Sequence, residues 1–362
     1  IYTLSLHDAL PIFNLTIVAF PRFLGERFGL FRSVEIINSK LIGTGACIPD
    51  FVLTNAMLEQ MVDTNDEWIV QRTGVRERRI AKNTHTWELA LGAAQDALAD
   101  AGITAEKLDL ILVSTCSPDT NTPNTASILQ DKLGARQVGA FDINNACTGF
   151  VSATDIADSY IKSGKAKTVL VVSAETLSRI VDYTDRSTCI LFGDGAAAAV
   201  YQATEDETVG ILSTFTAADG SGAEYLHMEA LPVEDPLSGD RTVDPKARFL
   251  KMQGAPVVRF TARAVPLAID TALKRAGVTA EEIDWVVPHQ ANLRILDVIA
   301  RRYHLPKEKI YVNMDRFGNT SSASVPICLN EMRKNGLLHE GQTIVCTGFG
   351  GGLTYGAFVL KL

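Results

Sequence analysis

Ala97-Leu-Ala-Asp-Ala-Gly102-Ile-Thr-Ala-Glu-Lys-Leu-Asp109-Leu-Ile-Leu-Val113 is echoed by Ala272-Leu-Lys-Arg-Ala-Gly277-Val-Thr-Ala-Glu-Glu-Ile-Asp284-Trp-Val-Val-Pro288. The offset is 175 residues at the glycines and at the aspartates (277 − 102, 284 − 109). Each copy reads as a helix, a glycine cap, a short loop and a buried apolar strand. The copies continue in parallel. Strand, turn and helix around Cys147 correspond to residues 311–332 around Asn319, and residues 162–173 correspond to residues 334–347. Helices alternating with apolar strands predict an α/β protein with mostly parallel sheets covered by helices. The expected architecture is two similar halves, residues 34–203 and 204–362. Matching loops of the two halves would then face one another and bring Cys147 to His289 and Asn319.

The 362 residues suit two such halves, and a hydrophobic content of 46% supplies a large core. A net charge of −8 has the wrong sign for a nucleic-acid binder. No run of about 18 apolar residues exists, so no membrane span is expected. The six cysteines (47, 116, 147, 189, 328, 346) form no CxxC pair and the six histidines no HExxH. Neither a metal site nor a disulfide framework is expected, and a reducing cytoplasm fits best. Residues 1–12 (IYTLSLHDALPI) resemble a translated sequencing-adapter read-through. Residues 1–33 are therefore expected to be a non-native or extension segment and are excluded from fold reasoning.

Along the remaining chain, residues 33–42 read as a strand ending in Gly43-Thr-Gly45, and residues 87–101 as a helix. Residues 110–114 and 169–173 read as buried strands. Residues 190–201 read as strand, Gly-Asp-Gly turn, strand. Residues 217–248, rich in Gly, Asp and Pro, form the least regular stretch, of the kind that is usually functional.

Three signals carry chemistry. In Phe141-Asp-Ile-Asn-Asn-Ala-Cys147-Thr-Gly-Phe150 a cysteine stands at a strand-to-helix turn. There the positive end of the helix favours thiolate, the nucleophilic form. His289, in Pro-His-Gln-Ala-Asn292, follows an apolar strand, where α/β folds place ligands. Asn319 lies in the small-residue turn Gly-Asn-Thr-Ser, and Gly350-Gly-Gly352 lets backbone N–H groups approach a ligand oxygen. Singly, each also reads as a core or turn residue; together, at strand ends of a duplicated fold, they read as a nucleophilic site. Neither Gly43-x-Gly45 nor Gly350-x-Gly352 completes a dinucleotide fingerprint.

From about residue 37 to the end, the chain resembles the β-ketoacyl-acyl carrier protein synthase III family of thiolase-like condensing enzymes. The matching phrases are Gly-Thr-Gly-Ala-Cys-Ile-Pro49, Asp-Glu-Trp68-Ile-Val, Arg72-Thr-Gly, Asn-Ala-Cys147-Thr-Gly-Phe, Asp185-Arg186 and Phe-Gly-Asp-Gly195-Ala. They continue through Pro-His289-Gln-Ala-Asn292-Leu-Arg294, Gly-Asn319-Thr-Ser and Phe349-Gly-Gly-Gly-Leu-Thr-Tyr-Gly356. The resemblance implies a thiolase fold, a homodimer, and condensation of an acyl-CoA with malonyl-acyl carrier protein to initiate fatty acid synthesis, without metal or redox cofactor. It implies Cys147 as nucleophile, Cys147 and Gly351 N–H groups as the oxyanion hole, and His289 and Asn319 as donors to the enolate. It further implies Trp68 and Arg186 around the CoA adenine, Arg72 near its phosphates and Asn292 on the pantetheine arm. Arg259, Arg294, Arg301 and Arg302 fall where the family docks the acidic carrier protein.

Two positions depart from the family. Thr122 stands where acetyl-preferring members often carry Phe, a residue that crosses the dimer interface and closes the partner's acyl channel; a primer longer than acetyl is expected. Ala255 replaces an Asn that often bonds the CoA arm. Three rival readings remain. A condensing enzyme of secondary metabolism would share the same catalytic residues. A silent acyl-CoA-binding homologue would share the fold. A papain-like protease uses Cys, His and Asn in this order, but with different flanking sequence.

Overall fold

The computed structural model describes residues 37–229, 237 and 245–362; the expected extension over residues 1–33 lies outside them. The first half contains β1 (Asn38–Cys47), β2 (Phe51–Thr54), α1 (Asn55–Leu58), α2 (Asp66–Thr73), β3 (Glu77–Ile80), α3 (Thr86–Ala101), β4 (Leu110–Ser114) and α4 (Thr125–Lys132). It continues with β5 (Gly139–Ile143), α5 (Gly149–Lys162), β6 (Thr168–Glu175), α6 (Arg186–Cys189) and β7 (Gly195–Thr204). The second contains β8 (Gly210–Ala218), β9 (Leu226–His227), β10 (Lys251–Met252), α7 (Gly254–Ala276), β11 (Trp285–Pro288) and α8 (Leu293–Arg302). It ends with α9 (Met314–Phe317), α10 (Ser324–Lys334), β12 (Thr343–Gly350) and β13 (Thr354–Lys361). Thr204, the expected start of the second half, is the last residue of β7.

Two sheets carry the duplication. The first has the order β1-β7-β6-β4-β5 and the second β8-β13-β12-β11. Each places its strands in the same sense: β4 runs parallel to β6 as β11 does to β12, and the next two pairings in each sheet are antiparallel. In place of a counterpart to β5, the second sheet has a single parallel bridge between Val286 and Ile310. Only β7 in the first sheet and β13 in the second run against the rest, so most strands share one sense, as the alternation of helices and strands predicted; what it did not show is where the reversed strands fall. Strands buried on both faces read as unbroken apolar runs whichever way their neighbours point, so the sequence pattern is blind to the difference. The antiparallel return from β12 to β13 needs only the three residues 351–353.

Five layers follow from the burial of alternate strand residues. Leu110, Leu112, Val169 and Val171 of the first sheet and Ile344, Cys346, Phe358 and Leu360 of the second turn inward. There they meet Phe150, Val151 and Ile161 of α5 and Val325, Leu329 and Met332 of α10, so this helix pair lies between the sheets. Ile111, Val113, Leu170 and Val172 turn outward onto α3 and α4. Val286, Val345 and Val359 turn outward onto α7 and α8.

Two readings change. Gly43 and Gly45 lie inside β1, which runs on to Cys47, and α3 seats directly on them. A Cβ at Gly45 would fall 2.2 Å from the Ala97 nitrogen. Residues 190–194 form no strand; Phe192 makes one bridge, to Asn319. A short apolar run between turns cannot say whether a strand or a single bridge awaits it. Of residues 217–248, the described part includes the turn Gly220–Tyr225 and β9, which pairs with β10.

Because the atoms facing Gly45 are helix backbone, Gly45→Ala forces α3 off the sheet. The expected loss is about 2–3 kcal/mol, read as a lower urea midpoint at unchanged slope. A wild-type midpoint would mean that α3 moves without cost.

Candidate active site

The site sits where the loops of the two halves converge. A cavity of about 550 Å³ has Cys147, His289, Asn319, Phe349 and Gly350 in its lining, with Trp68, Arg72, Asn292, Arg259 and Arg294 also bordering it. The three residues that the sequence singled out are therefore brought together, one from the first half and two from the second.

Cys147 lies in the tight turn Ala146–Thr148 that runs directly into α5. Ala146 holds a left-handed φ of 44°, and in the second half Ser321 does the same, at 49°, in the turn Ser321–Ala323 before α10. The two residues stand at the same 175-residue offset (321 − 146), so the repeat extends to the backbone of the site. The sequence predicted a thiol biased toward thiolate by the helix end. The structure corrects this. Cys147 is only 7% exposed, and burial pushes its thiol up to about 12, against the Ser321 hydroxyl, whose hydrogen bond lowers it. Loss of hydration outweighs the helix end here.

His289 extends β11 by one residue, its N–H donating to the Thr347 carbonyl at 2.8 Å. The ring is buried, meets Phe349 edge-on with centroids 5.0 Å apart, and has Nδ1 at 2.7 Å from the Ser324 hydroxyl. Burial lowers its pKa to about 3, so the imidazole is neutral. Ser324 can donate to Nδ1, leaving Nε2–H as a donor, or accept from Nδ1–H, leaving Nε2 as a base. Asn319 is fixed along its backbone, donating to Leu191 O at 2.8 Å and accepting from Gly193 N at 3.0 Å. Its Oδ1 accepts the Ser321 N–H at 2.8 Å, which leaves the amide Nδ2 to donate.

β12 closes the site from the second half. A Cβ on Gly350 would fall 2.8 Å from Cys147 Cβ and 2.9 Å from its nitrogen. The expected oxyanion donor, Gly351, lies beside Ala146 and Leu226 and is not among the lining residues. The sequence did not single out Gly350 for this close approach, nor Ser324 as the group that orients His289. Ser324 stands in the same small-residue stretch as Asn319, but spacing alone does not aim a hydroxyl.

At the cavity mouth Trp68 lies between two guanidinium groups, Arg72 at 4.6 Å and Arg186 at 4.8 Å from the ring centroid. Arg186 also donates to the Asp63 carbonyl at 2.7 Å. Asn292 caps α8 through the Arg294 N–H and ties it to α2 by donating to Arg72 O at 2.8 Å. Ala255 borders the cavity, as do Arg259 and Arg294. Arg301 and Arg302 lie farther along α8, where Arg301 bonds the Asp297 carbonyl and Arg302 pairs with Asp270 at 2.8 Å. Thr122 is exposed and not among the lining residues. Among the described residues no three His, Cys, Asp or Glu side chains converge as metal ligands. No helix among them is long and apolar enough to cross a membrane.

Comparison with known proteins agrees with this arrangement. The family described as 3-Oxoacyl-[acyl-carrier-protein (ACP)] synthase III matches residues 141–220, and its C-terminal part matches residues 273–362. The chain is 45% identical over 324 residues to the beta-ketoacyl-[acyl-carrier-protein] synthase III of Clostridium novyi, covering 90% of this chain and 99% of that one. The crystal structure of 3-oxoacyl-[acyl-carrier-protein] synthase III from Aquifex aeolicus superposes with a TM-score of 0.83 at 46% identity, covering 90% of this chain and all of that one. The priming beta-ketosynthase from the R1128 polyketide biosynthetic pathway superposes with a TM-score of 0.81 at 37% identity, covering 90% and 96%. The chain therefore belongs to the β-ketoacyl-acyl carrier protein synthase III family, condensing acyltransferases of the thiolase-like fold.

Two outcomes test the geometry. Gly350→Ala drives a methyl group into the Cys147 backbone, and acylation of Cys147 is expected to slow by about 10²-fold; a wild-type rate would mean that β12 can withdraw. The second outcome concerns pH. The folded pKa of His289 lies below its ordinary 6.5. Between about pH 6.5 and 3 the unfolded chain binds a proton that the folded chain refuses. The stability tied to this group is thus complete above pH 6.5 and falls as pH drops, by about 1.4 kcal/mol per unit. Denaturant titrations at pH 7 and 5 should show a smaller acid loss in His289→Gln than in wild type. Equal losses would place the imidazole in contact with solvent.

Proposed function

We propose that the chain condenses an acyl-CoA primer with malonyl-acyl carrier protein, the first condensation of fatty acid synthesis. The observation that carries this reading is the joint placement of Cys147, His289 and Asn319 in one cavity bordered by Trp68 and three arginines, Arg72, Arg259 and Arg294.

The steps follow from the groups. A buried thiol near 12 needs a proton acceptor when it attacks, and the neutral His289 in the same cavity supplies one. The sulfur adds to the thioester carbonyl, CoA leaves with the proton, and an acyl-cysteine remains. Backbone N–H groups of Cys147 and of Gly351, which follows the lining residue Gly350 and lies against Ala146, hold the tetrahedral oxyanion, each worth about 2.7–4 kcal/mol of barrier. Malonyl-acyl carrier protein then loses CO2. The enolate oxygen receives hydrogen bonds from His289 Nε2–H and Asn319 Nδ2, and the carbanion attacks the acyl-cysteine carbonyl; the C–S bond breaks, the β-ketoacyl-acyl carrier protein leaves, and the Cys147 thiolate takes up a proton from solvent. No metal or redox cofactor enters.

Trp68, Arg72, Arg186 and Asn292 bind the CoA. Arg186, now stacked on the indole, gives way to the adenine, which then lies between them. Arg259 and Arg294 meet the acidic carrier protein first at the cavity mouth, with Arg301 and Arg302 behind them. Arg302 already satisfies Asp270 and adds least. The homodimer forms along β5, a half-buried strand at the edge of its sheet among the described residues. Thr122 reaches the partner's acyl channel across that interface and leaves room for a primer longer than acetyl. The enzyme works in the cytoplasm.

Intact mass of wild type and Cys147→Ala after incubation with acyl-CoAs from acetyl to about twelve carbons tests the nucleophile and Thr122 together. An adduct is expected in wild type only, with a chain longer than acetyl preferred. Preference for acetyl would refute the open channel, and an adduct on Cys147→Ala would refute the nucleophile. No adduct with any straight chain would favour an unusual primer, as a priming ketosynthase uses, or a silent homologue. Asn319→Ala is expected to acylate normally but to release no CO2 from the malonyl donor.

A further inference from the structure

The steps above leave one buried ionisable group beside the nucleophile unused. Glu175 ends β6 and is 0% exposed. A carboxyl group in such a place is costly unless its oxygens are met by donors. Here the donors are neutral. Oε2 accepts from Ser117 Oγ at 2.6 Å and Cys116 N at 3.1 Å, with Thr115 Oγ1 and Cys116 Sγ each at 3.4 Å. Oε1 accepts from Ser322 Oγ at 2.8 Å.

Those donors belong to two separate segments. Residues 115–117 form the loop after β4, and Ser322 belongs to the turn that follows Asn319. One carboxyl group thus ties a loop of the first half to the catalytic turn of the second. That turn has need of a tie, because Ser321 holds a left-handed φ of 49° that a non-glycine residue keeps only when its surroundings enforce it. Ser321 in turn holds Asn319, through its N–H on Oδ1. Its hydroxyl lies 3.8 Å from Cys116 Sγ and bonds the Cys147 thiol. The repeat gives the same arrangement a second face. Gly350, 175 positions after Glu175, presses on Cys147, while Glu175 bonds Ser322, 175 positions after Cys147 (350 − 175, 322 − 147).

We infer that Glu175 is a positioning residue for the condensation step: by clamping the Ser321–Ala323 turn to the loop after β4, it aims the Asn319 amide at the enolate. The inference rests on the role given above to Asn319. Glu175 touches neither substrate nor the reacting atoms. Removing the clamp disturbs Asn319 most directly, through the Ser321 N–H; the Cys147 thiol loses at most the Ser321 hydroxyl, while its backbone stays held by β12 and His289 by Ser324, so condensation suffers far more than acylation. A glutamine in its place can still accept from the Cys116 loop. It can also donate to Ser322, whose hydroxyl has Ser114 O within 3.3 Å as an alternative acceptor.

The test measures two rates separately on Glu175→Ala, Glu175→Gln and Ser322→Ala: acylation of Cys147 by intact mass, and turnover of the isolated acyl-enzyme with malonyl-acyl carrier protein. For Glu175→Ala, acylation should stay within a few-fold of wild type while condensation falls by about 10²-fold. Glu175→Gln should recover most of that loss, and Ser322→Ala should lose condensation alone, by about tenfold. Equal loss of both rates in Glu175→Ala, no recovery with glutamine, or unimpaired condensation in Ser322→Ala would each overturn the clamp. Should Glu175→Ala fail to fold, the other two variants decide. Asn319→Ala run alongside separates the two levels. If it condenses normally, the role of Asn319 falls. If it is blocked while Glu175→Ala and Ser322→Ala are not, only the clamp falls.

Discussion

The site depends on the close approach of two backbones. The end of β12 lies against the turn that carries Cys147, and only a glycine at position 350 leaves room for it. Gly348, two residues earlier, rests on the same turn, with the Cys147 carbonyl 3.2 Å from where its Cβ would be. That contact joins the halves at the reacting sulfur. Both partners are continuous with elements of the core: α5 behind the cysteine, and β12 in the interior of the second sheet.

Burial then sets the chemistry in two opposite directions. It raises the thiol of Cys147 and lowers the imidazole of His289. Both groups are left neutral, the thiol a donor and the imidazole an acceptor, and charge appears only when a substrate supplies somewhere for it to go. The Ser324 hydroxyl can donate to Nδ1 or accept from it, so the same imidazole can offer Nε2 as an acceptor or Nε2–H as a donor. Burial of the thiol outweighs the helix end read from sequence, and the nearby Glu175 carboxyl adds to it.

Duplication explains why the halves differ where they do. The second sheet repeats the first strand for strand except at β5. That leaves the first half with an edge of its own. The two tight turns with left-handed residues are copies, yet one presents a cysteine and the other a run of serines after Asn319. The ancestral symmetry is kept in the backbone and broken in the side chains, which is where a nucleophile and its hydrogen-bond donors must differ.

Sequence alone determined the duplicated α/β plan, because helix caps, apolar strands and the 175-residue offset are local and periodic signals. It also singled out Cys147 and Asn319 by their small-residue turns and His289 by its place after an apolar strand, and the fold brings the three to one cavity. Tertiary structure decided the rest. The reversal of β7 and β13 was hidden, since strands covered on both faces look alike in either sense. So was the neutrality of the cysteine and histidine, since desolvation is a property of everything packed around a group. The contacts of Gly350, Ser324 and Glu175 were hidden for the same reason. A glycine's value lies in what would strike its missing side chain, and that of a hydroxyl or carboxyl in which distant segment brings it a partner.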